Sequence, residues 1–113
     1  MDRLTLFRQT LHQILTNYRG YLPSRDDVEV VTICDDENGQ YALLEVGWQY
    51  PHRVYNTVFH ARIKDQRIWV EQDWTKRGIV QELLNAGIQP EEIEQGNIAP
   101  MLRASSQLAE MRS

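Results

Sequence analysis

The side chains able to do nucleophilic or metal chemistry are few and scattered in this sequence. The three histidines, His12, His52 and His60, do not have the spacing of any zinc motif. Cys34 is the only cysteine, so no cysteine pair can bind a metal or close an internal disulfide. Its position in an apolar run favours a buried, unreactive thiol. These residues predict no metal site and no thiol chemistry, and one cysteine agrees with a reducing compartment.

The acidic residues and glycines do not form a known ligand-binding loop. Asp35, Asp36 and Glu37 precede an Asn-Gly pair, but they lack the alternating ligands and distal glutamate of a calcium loop. The six glycines are scattered at turn positions, and no glycine-rich phosphate loop is present. The sequence therefore predicts neither a metal nor a nucleotide cofactor.

The remaining residues exclude one kind of nuclease site and leave one hydrolase site open. A nuclease that places an acid two residues before a lysine would need an acid at position 62 or 74, which are Arg62 and Trp74. A small hydrolase with a site formed by Glu71, Asp73 and His60 stays open as an alternative. With no catalytic motif in the chain, we expect a protein that is not an enzyme.

The charge of the chain is unevenly distributed around a net value of −4. Residues 26–47 carry seven acids and no lysine or arginine, whereas residues 48–77 carry six basic and three acidic side chains. A domain that binds nucleic acid by itself is usually basic, because phosphate neutralisation supplies most of the affinity. The net negative charge of the chain therefore disfavours DNA binding by this protein alone.

No apolar run has membrane-spanning length and no signal peptide is recognisable, which predicts a cytoplasmic protein.

Direct DNA binding nevertheless remains the second hypothesis, because several cations have suggestive positions. Two cations at the start of a helix oppose the helix dipole unless an anion lies between them. Two others project together on the wheel of the first helix. The candidate anion or DNA contacts are Arg8, Arg19, Arg62, Lys76 and Arg77.

The periodicity of the chain predicts an α+β fold of a single domain, residues 1–113. Apolar residues at helical spacing indicate a helix over residues 3–18, ended by Gly20. Four alternating segments follow, joined by short turns: residues 28–34, 40–48, 54–63 and 68–73. A second helix is capped by Asp73 or Thr75 and stopped by Gly87. This order predicts a four-stranded antiparallel meander with both helices on the same face.

The uncovered face of that sheet is the predicted contact surface. In the third strand, Tyr55, Thr57, Phe59, Ala61 and Ile63 are expected on the core face. An exposed aromatic and apolar patch on a sheet usually marks a partner surface. Either residues 97–113, a weakly structured tail, cover this face, or a second copy or another protein does. The candidate partner-binding residues are Trp48, Val58, His60 and Trp69.

The second half of the chain resembles a known family at many positions. The matching residues are Val46-Gly47-Trp48, Arg53-Val54-Tyr55, Ile68-Trp69-Val70, Gln72-Asp73, Thr75, Gly78-Ile79, Glu82-Leu83, Gly87-Ile88 and Ile93. On these residues the chain resembles the XisI-like family, the fdxN element excision controlling factors of filamentous cyanobacteria. The sequence differs from the family pattern at Lys76-Arg77, where acids are commoner, and after Gly96, where a Pro-Pro-Glu tail is usual.

The resemblance implies an accessory protein that controls site-specific excision of a DNA element during heterocyst differentiation. Cutting and rejoining of the DNA strands would then be done by a separate recombinase. The resemblance also implies a XisH-like protein as the direct partner.

Overall fold

The computed structural model of the protein describes residues 2–21 and 27–102. That part of the chain contains two α-helices, five strands and two 3₁₀ turns, at Pro90–Glu92 and Pro100–Leu102. The helices and strands are α1 (Arg3–Tyr21), β1 (Val28–Asp35), β2 (Gln40–Gln49), β3 (His52–Lys64), β4 (Arg67–Asp73), α2 (Ile79–Asn85) and β5 (Ile93–Gln95).

The strands form one mixed sheet in the order β1-β2-β3-β4-β5. The first four pair antiparallel through short turns, as the sequence predicts. The prediction of only four strands is wrong, because β5 adds to the edge in parallel to β4, with Ile93 opposite Ile68. β5 is only three residues long and follows the turn at Pro90–Glu92. A segment of three residues is too short for its periodicity to predict a strand.

Both helices pack on the same face of the sheet, which confirms that part of the predicted fold. Apolar side chains of α1 and α2 are buried against alternate residues of the three central strands. They shield this face from water and form one continuous core. The fully or nearly fully buried members are Phe7, Leu11, Ile14, Leu15, Tyr41, Leu43, Phe59, Ala61, Ile68, Val70, Ile79, Leu83 and Ile88.

A β-bulge in β3 reverses which residues of that strand face the core. Leu43 pairs with Phe59 but Leu44 pairs with Thr57, so Val58 is an extra residue. Before the bulge, Tyr55 and Thr57 share the face opposite the helices, and Tyr55 is 63% exposed. The prediction that both lie on the core face is therefore wrong. Strict period-two alternation cannot detect an inserted residue.

Both predicted capping side chains contact the start of α2, although the residue at the N-cap position itself is Gly78. Asp73 accepts hydrogen bonds from the Thr75 backbone amide at 3.0 Å and from the Ile79 amide at 2.8 Å. The Thr75 hydroxyl accepts one from the Gly78 amide at 3.1 Å. At the other end Gly87 has φ +96°, and the Ile88 amide returns to Leu83 O at 3.1 Å. This is a Schellman ending, in which glycine supplies the left-handed residue.

The tail prediction can be followed only to Leu102. Residues 103–113, the greater part of the predicted tail, lie outside the described residues. Within the described residues, no helix is both long enough and apolar enough to span a membrane.

Candidate interaction surface

The sheet face opposite the two helices, called here the open face, carries a continuous apolar row along β2. Pairing registers place its residues, because partners in neighbouring strands point to the same side. The row is completed by Ile33 from β1, which is 43% exposed. The apolar and aromatic residues of the open face include Val31, Ile33, Ala42, Leu44, Val46, Trp48, Tyr55 and Trp69. Its polar residues include Glu29, Gln40, Arg53, Thr57, His60, Arg62 and Gln72.

Trp69 and its neighbours form one end of the open face. The Trp69 indole donates to the Lys64 carbonyl at 3.1 Å, and the Lys64 ammonium lies 5.4 Å from the ring centroid. Trp69 pairs across the strands with Arg62, whose guanidinium forms an ion pair with Glu71 at 3.3 Å. These contacts hold the indole in one orientation on a half-buried platform.

His60 lies next to this platform and is held by the neighbouring strand. It pairs with Ala42 of β2 and Gln72 of β4, and its Nε2 is 2.9 Å from Gln40 Oε1. That contact requires the proton on Nε2 when the imidazole is neutral, which leaves Nδ1 as an acceptor. His60 therefore belongs, with Gln40, Gln72 and Arg62, to a polar group beside the apolar row.

Trp48 lies at the far end of the open face, in the β2-β3 hairpin. Its ring is stacked on Tyr50 with 5.9 Å between centroids and 15° between planes. The Arg53 guanidinium lies over both the Trp48 ring, at 5.5 Å, and the Tyr55 ring, at 5.9 Å. Exposed aromatic rings with an arginine between them are the side-chain types enriched where proteins bind one another.

The structure brings together only some of the four predicted partner-binding residues. His60 and Trp69 are neighbours, whereas Trp48 lies six residues along β2 from the partner of His60, or roughly 20 Å away. Placing Val58 on this face is wrong, because the bulge turns it to pack against the core. The surface is thus an extended strip, with Trp48 and Trp69 near its two ends.

The five predicted DNA contacts do not form one stripe. Arg8 and Arg19 belong to α1, on the opposite side of the sheet from Arg62. Arg62 is already paired with Glu71, and Arg77 Nη1 lies 3.5 Å from Glu82 Oε1. The anion expected near the start of α2 is therefore supplied by the chain itself.

The residues of the hydrolase alternative do not converge either. Asp73 pairs with Phe59 on the helix side of the sheet and uses its carboxylate to cap α2. His60 lies on the open face, and Glu71 is paired with Arg62. Asp73 and His60 therefore lie on opposite faces of the sheet, whereas a general acid and base pair has to share one space.

A polar cluster between α1 and the β1-β2 turn was not found from the sequence. Cys34 Sγ is 3.7 Å from His12 Nδ1, and His12 Nε2 is 2.9 Å from Asp36 Oδ1. The buried Tyr41 hydroxyl donates to the same carboxylate at 2.6 Å. Cys34 is exposed, so the prediction of a buried thiol is wrong. The pairing of β1 with β2 explains this position, because it places Cys34 opposite Tyr41 at the edge of the core.

The electrostatics of this cluster follow from those contacts. Hydrogen bonds from Tyr41 and His12 lower the pKa of Asp36 below its ordinary value. Burial, together with the bond to Asp36, raises the pKa of Tyr41 well above its ordinary value. Desolvation and the Asp36 carboxylate raise the pKa of the Cys34 thiol. A raised pKa opposes thiolate formation at neutral pH, so the cluster lacks an activated nucleophile.

The fold and its open face define a small α+β protein of the XisI-like type. A crystal structure of a XisI-like protein from Anabaena variabilis is similar, with 38% identity and TM-score 0.86, covering 90% of this chain and 94% of that chain. Another, of fdxN element excision controlling factor XisI from Anabaena variabilis, has 34% identity and TM-score 0.82, covering 92% and 95%. A search of curated proteins gives no match.

The family model described as XisI protein matches residues 1–110. The chain therefore belongs to the XisI family, which confirms the resemblance found in the sequence.

Proposed function

We propose that this protein is a non-catalytic controlling factor for site-specific excision of a DNA element, and that it acts by binding a XisH-like protein. Membership in the XisI family supports the role in excision control, since a similar solved protein is named an fdxN element excision controlling factor. The recombinase that cuts and rejoins the strands would be a separate protein. The proposal applies to this chain within heterocyst-forming cyanobacteria.

The single observation that carries the binding role is the open face. It combines an apolar row along β2 with Trp69 and His60 at one end and Trp48 at the other. Such a strip is longer than a small-molecule site and matches the mixture of aromatic and apolar side chains found in the centre of protein interfaces. Trp48, His60 and Trp69 are its proposed principal contacts.

The test is co-expression with the XisH-like protein encoded nearest to this chain, followed by measurement of the mass of the purified species by light scattering. We expect a stable hetero-complex for the unmodified chain. We expect it to be lost with Trp69→Ala and with Ile33→Glu, which places a charge on the open face opposite Ala42. Circular dichroism and thermal unfolding would establish that each variant is folded.

Trp74→Ala is the control for loss of an exposed tryptophan, because Trp74 is 76% exposed and lies beyond the end of β4, outside the apolar row along β2. It should leave the complex intact. An unchanged complex with folded Trp69→Ala and Ile33→Glu would overturn the proposed contact surface. Loss with Trp74→Ala alone would move the contact to another part of the molecule.

A further inference from the structure

Within the described residues, one edge of the long strand β3 is unpaired over about half of its length. β4 pairs with β3 only from Phe59 to Lys64. After β4, the Trp74 amide donates to the Val58 carbonyl at 2.7 Å, and the chain then turns towards α2. Residues 52–57 of β3 thus have β2 on one side and no strand of the described chain on the other.

The backbone groups at this edge can be assigned. In an extended strand, amide and carbonyl groups point alternately to the two edges. The Thr57 carbonyl points to the outer edge, since it accepts a hydrogen bond from Gln72 Nε2 at 2.8 Å. The register is uninterrupted from Arg53 to Thr57, so the backbone groups of Arg53 and Tyr55 point the same way. The edge is a template for another strand.

A groove of about 580 Å³ lies beside this edge, lined by residues 55–58 of β3 together with Glu45, Gln72 and Trp74. The groove continues the line of β4 beyond the point where β4 leaves the sheet. A segment seated there would therefore run antiparallel to β3, as β4 does. Trp74 stands exposed at the end of the groove and offers an aromatic surface to whatever occupies it.

The middle of the edge lacks the features that keep free strands apart. Charged side chains, prolines and bulges usually protect such edges. Arg53 lies at the start of this edge and the bulge at Val58 ends it, but from Val54 to Thr57 there is no charged residue, proline or bulge. The outer edge of β1, by contrast, carries Glu29 and Asp35.

We propose that the outer edge of β3 pairs with the same edge of a second copy of this chain. A two-fold axis at Tyr55 makes the two strands antiparallel, as the groove requires. It places Tyr55 opposite itself, Val54 opposite Asn56 and Arg53 opposite Thr57, so that no like charges face each other. The inference does not depend on the proposed function, which uses the open face.

The experiment is the solution mass of the full chain by light scattering, over a range of protein concentrations. The unmodified chain is expected to be a dimer. Tyr55→Lys and Tyr55→Glu should each be monomeric, because each places two like charges at the two-fold axis. An equimolar mixture of the two variants should restore a dimer containing one copy of each. Tyr50→Lys is the matched control, since Tyr50 is also exposed but lies in the turn; it should remain dimeric.

A monomeric unmodified chain overturns the proposal, and so does a dimer that survives both Tyr55 variants. A dimer that is lost with Ile33→Glu and kept with Tyr55→Lys would assign the contact to the open face instead. If the Tyr55→Lys and Tyr55→Glu chains failed to fold, a disulfide cross-link tests the pairing instead, with Tyr55→Cys in a Cys34→Ser background. Paired residues at the axis are about 5.5 Å apart between Cα atoms, within disulfide reach. Oxidised glutathione should then link the two copies, and absence of the link would overturn the pairing.

Discussion

At the residue scale, the Cys34, His12, Asp36 and Tyr41 cluster shows how geometry sets chemical character. The Cys34 thiol contacts the His12 imidazole, which in turn contacts the Asp36 carboxylate. The surroundings nevertheless raise the pKa of the thiol. Asp36 accepts two strong donors and is stabilised as the anion. The cluster therefore favours a structural link between α1 and the first turn over nucleophilic chemistry.

The reactivity of Cys34 should show this directly. The rate of alkylation by iodoacetamide should rise with pH at higher values than for N-acetylcysteine, because only the thiolate reacts. Asp36→Asn should move the profile part of the way back, since desolvation is the larger cause of the raised pKa and remains. Mass spectrometry of the alkylated chain measures the rate. A profile identical to that of the free thiol would contradict the assignment.

The acid dependence of stability should depend on Tyr41. The pKa of Asp36 is lowered in the folded chain, so the contacts responsible stabilise the fold above the ordinary value of 3.8 and lose their effect as the pH falls through the folded-state pKa. Tyr41→Phe removes the largest of these contacts. The free energy of unfolding should therefore fall at neutral pH and change less in strong acid. Urea unfolding measures both, with Tyr50→Phe as a control that should show no such difference.

At the scale of the element, α2 depends on groups outside its own seven residues. A helix of two turns is too short to be stable alone, and its packing and caps maintain it. Asp73 accepts from the first amide of the helix, at Ile79, and Thr75 from the amide of Gly78 just before it. Gly87 and Ile88 close the last turn. The same carboxylate that ends β4 thus begins the helix.

Asp73→Ala should lower the free energy of unfolding by about 1 to 2 kcal/mol, because it removes the cap on two backbone amides. Glu91→Ala is the matched control, since Glu91 is an exposed carboxylate at the start of a turn. It should change the free energy by less than about 0.5 kcal/mol. Urea unfolding compares the two, and equal losses would mean that the Asp73 cap has no special role.

Three glycine-to-alanine substitutions should separate the effects of helix propensity, positive φ and steric overlap on stability. Gly20→Ala, within α1 and with open space around the new methyl group, should stabilise the chain by about 0.5 kcal/mol. Gly87→Ala also meets no atom but must adopt φ +96°, and should cost about 1 to 2 kcal/mol. Gly47→Ala would place its Cβ 1.9 Å from the Asp27 carbonyl oxygen and should cost the most. Thermal unfolding gives the order, and a stabilising Gly87→Ala would contradict it.

At the scale of the whole molecule, the separation of charges decides between the two functional hypotheses. Arg8 and Arg19 lie on the helix layer, Arg62 on the open face, and Arg77 beside Glu82 at the start of α2. A DNA duplex contacts one side of a protein at a time, so these cations cannot act together. The net charge of −4 adds a general repulsion.

We therefore expect no gel shift of duplex DNA by the purified chain at physiological salt. Any binding at low salt should weaken steeply as salt is added, because it would depend on a few separate phosphate contacts. Fluorescence anisotropy across a salt series measures this. Tight binding that persists at physiological salt would return the DNA-binding hypothesis to first place, and Lys76→Glu would then identify the surface.

Much of this protein was determined by the sequence alone. Helical spacing and turn residues placed both helices, the four antiparallel strands and the stop at Gly87, because these features depend on neighbours within a few positions. The predicted end of α1 at Gly20 is wrong, because the helix continues to Tyr21. The resemblance across residues such as Trp69, Asp73 and Gly87 identified the family that the comparisons confirm. The capping roles of Asp73 and Thr75 were likewise predictable from their places before an apolar run.

The remaining features depend on tertiary structure. Only pairing reveals that Val58 is an extra residue, that Tyr55 consequently points away from the core, and that β5 joins beside β4. Only packing exposes Cys34 and brings it to His12, from which it is separated by 22 residues. Both the open face and the unpaired edge of β3 are defined by where other elements end. Such features arise from contacts distant in sequence, which local periodicity does not encode.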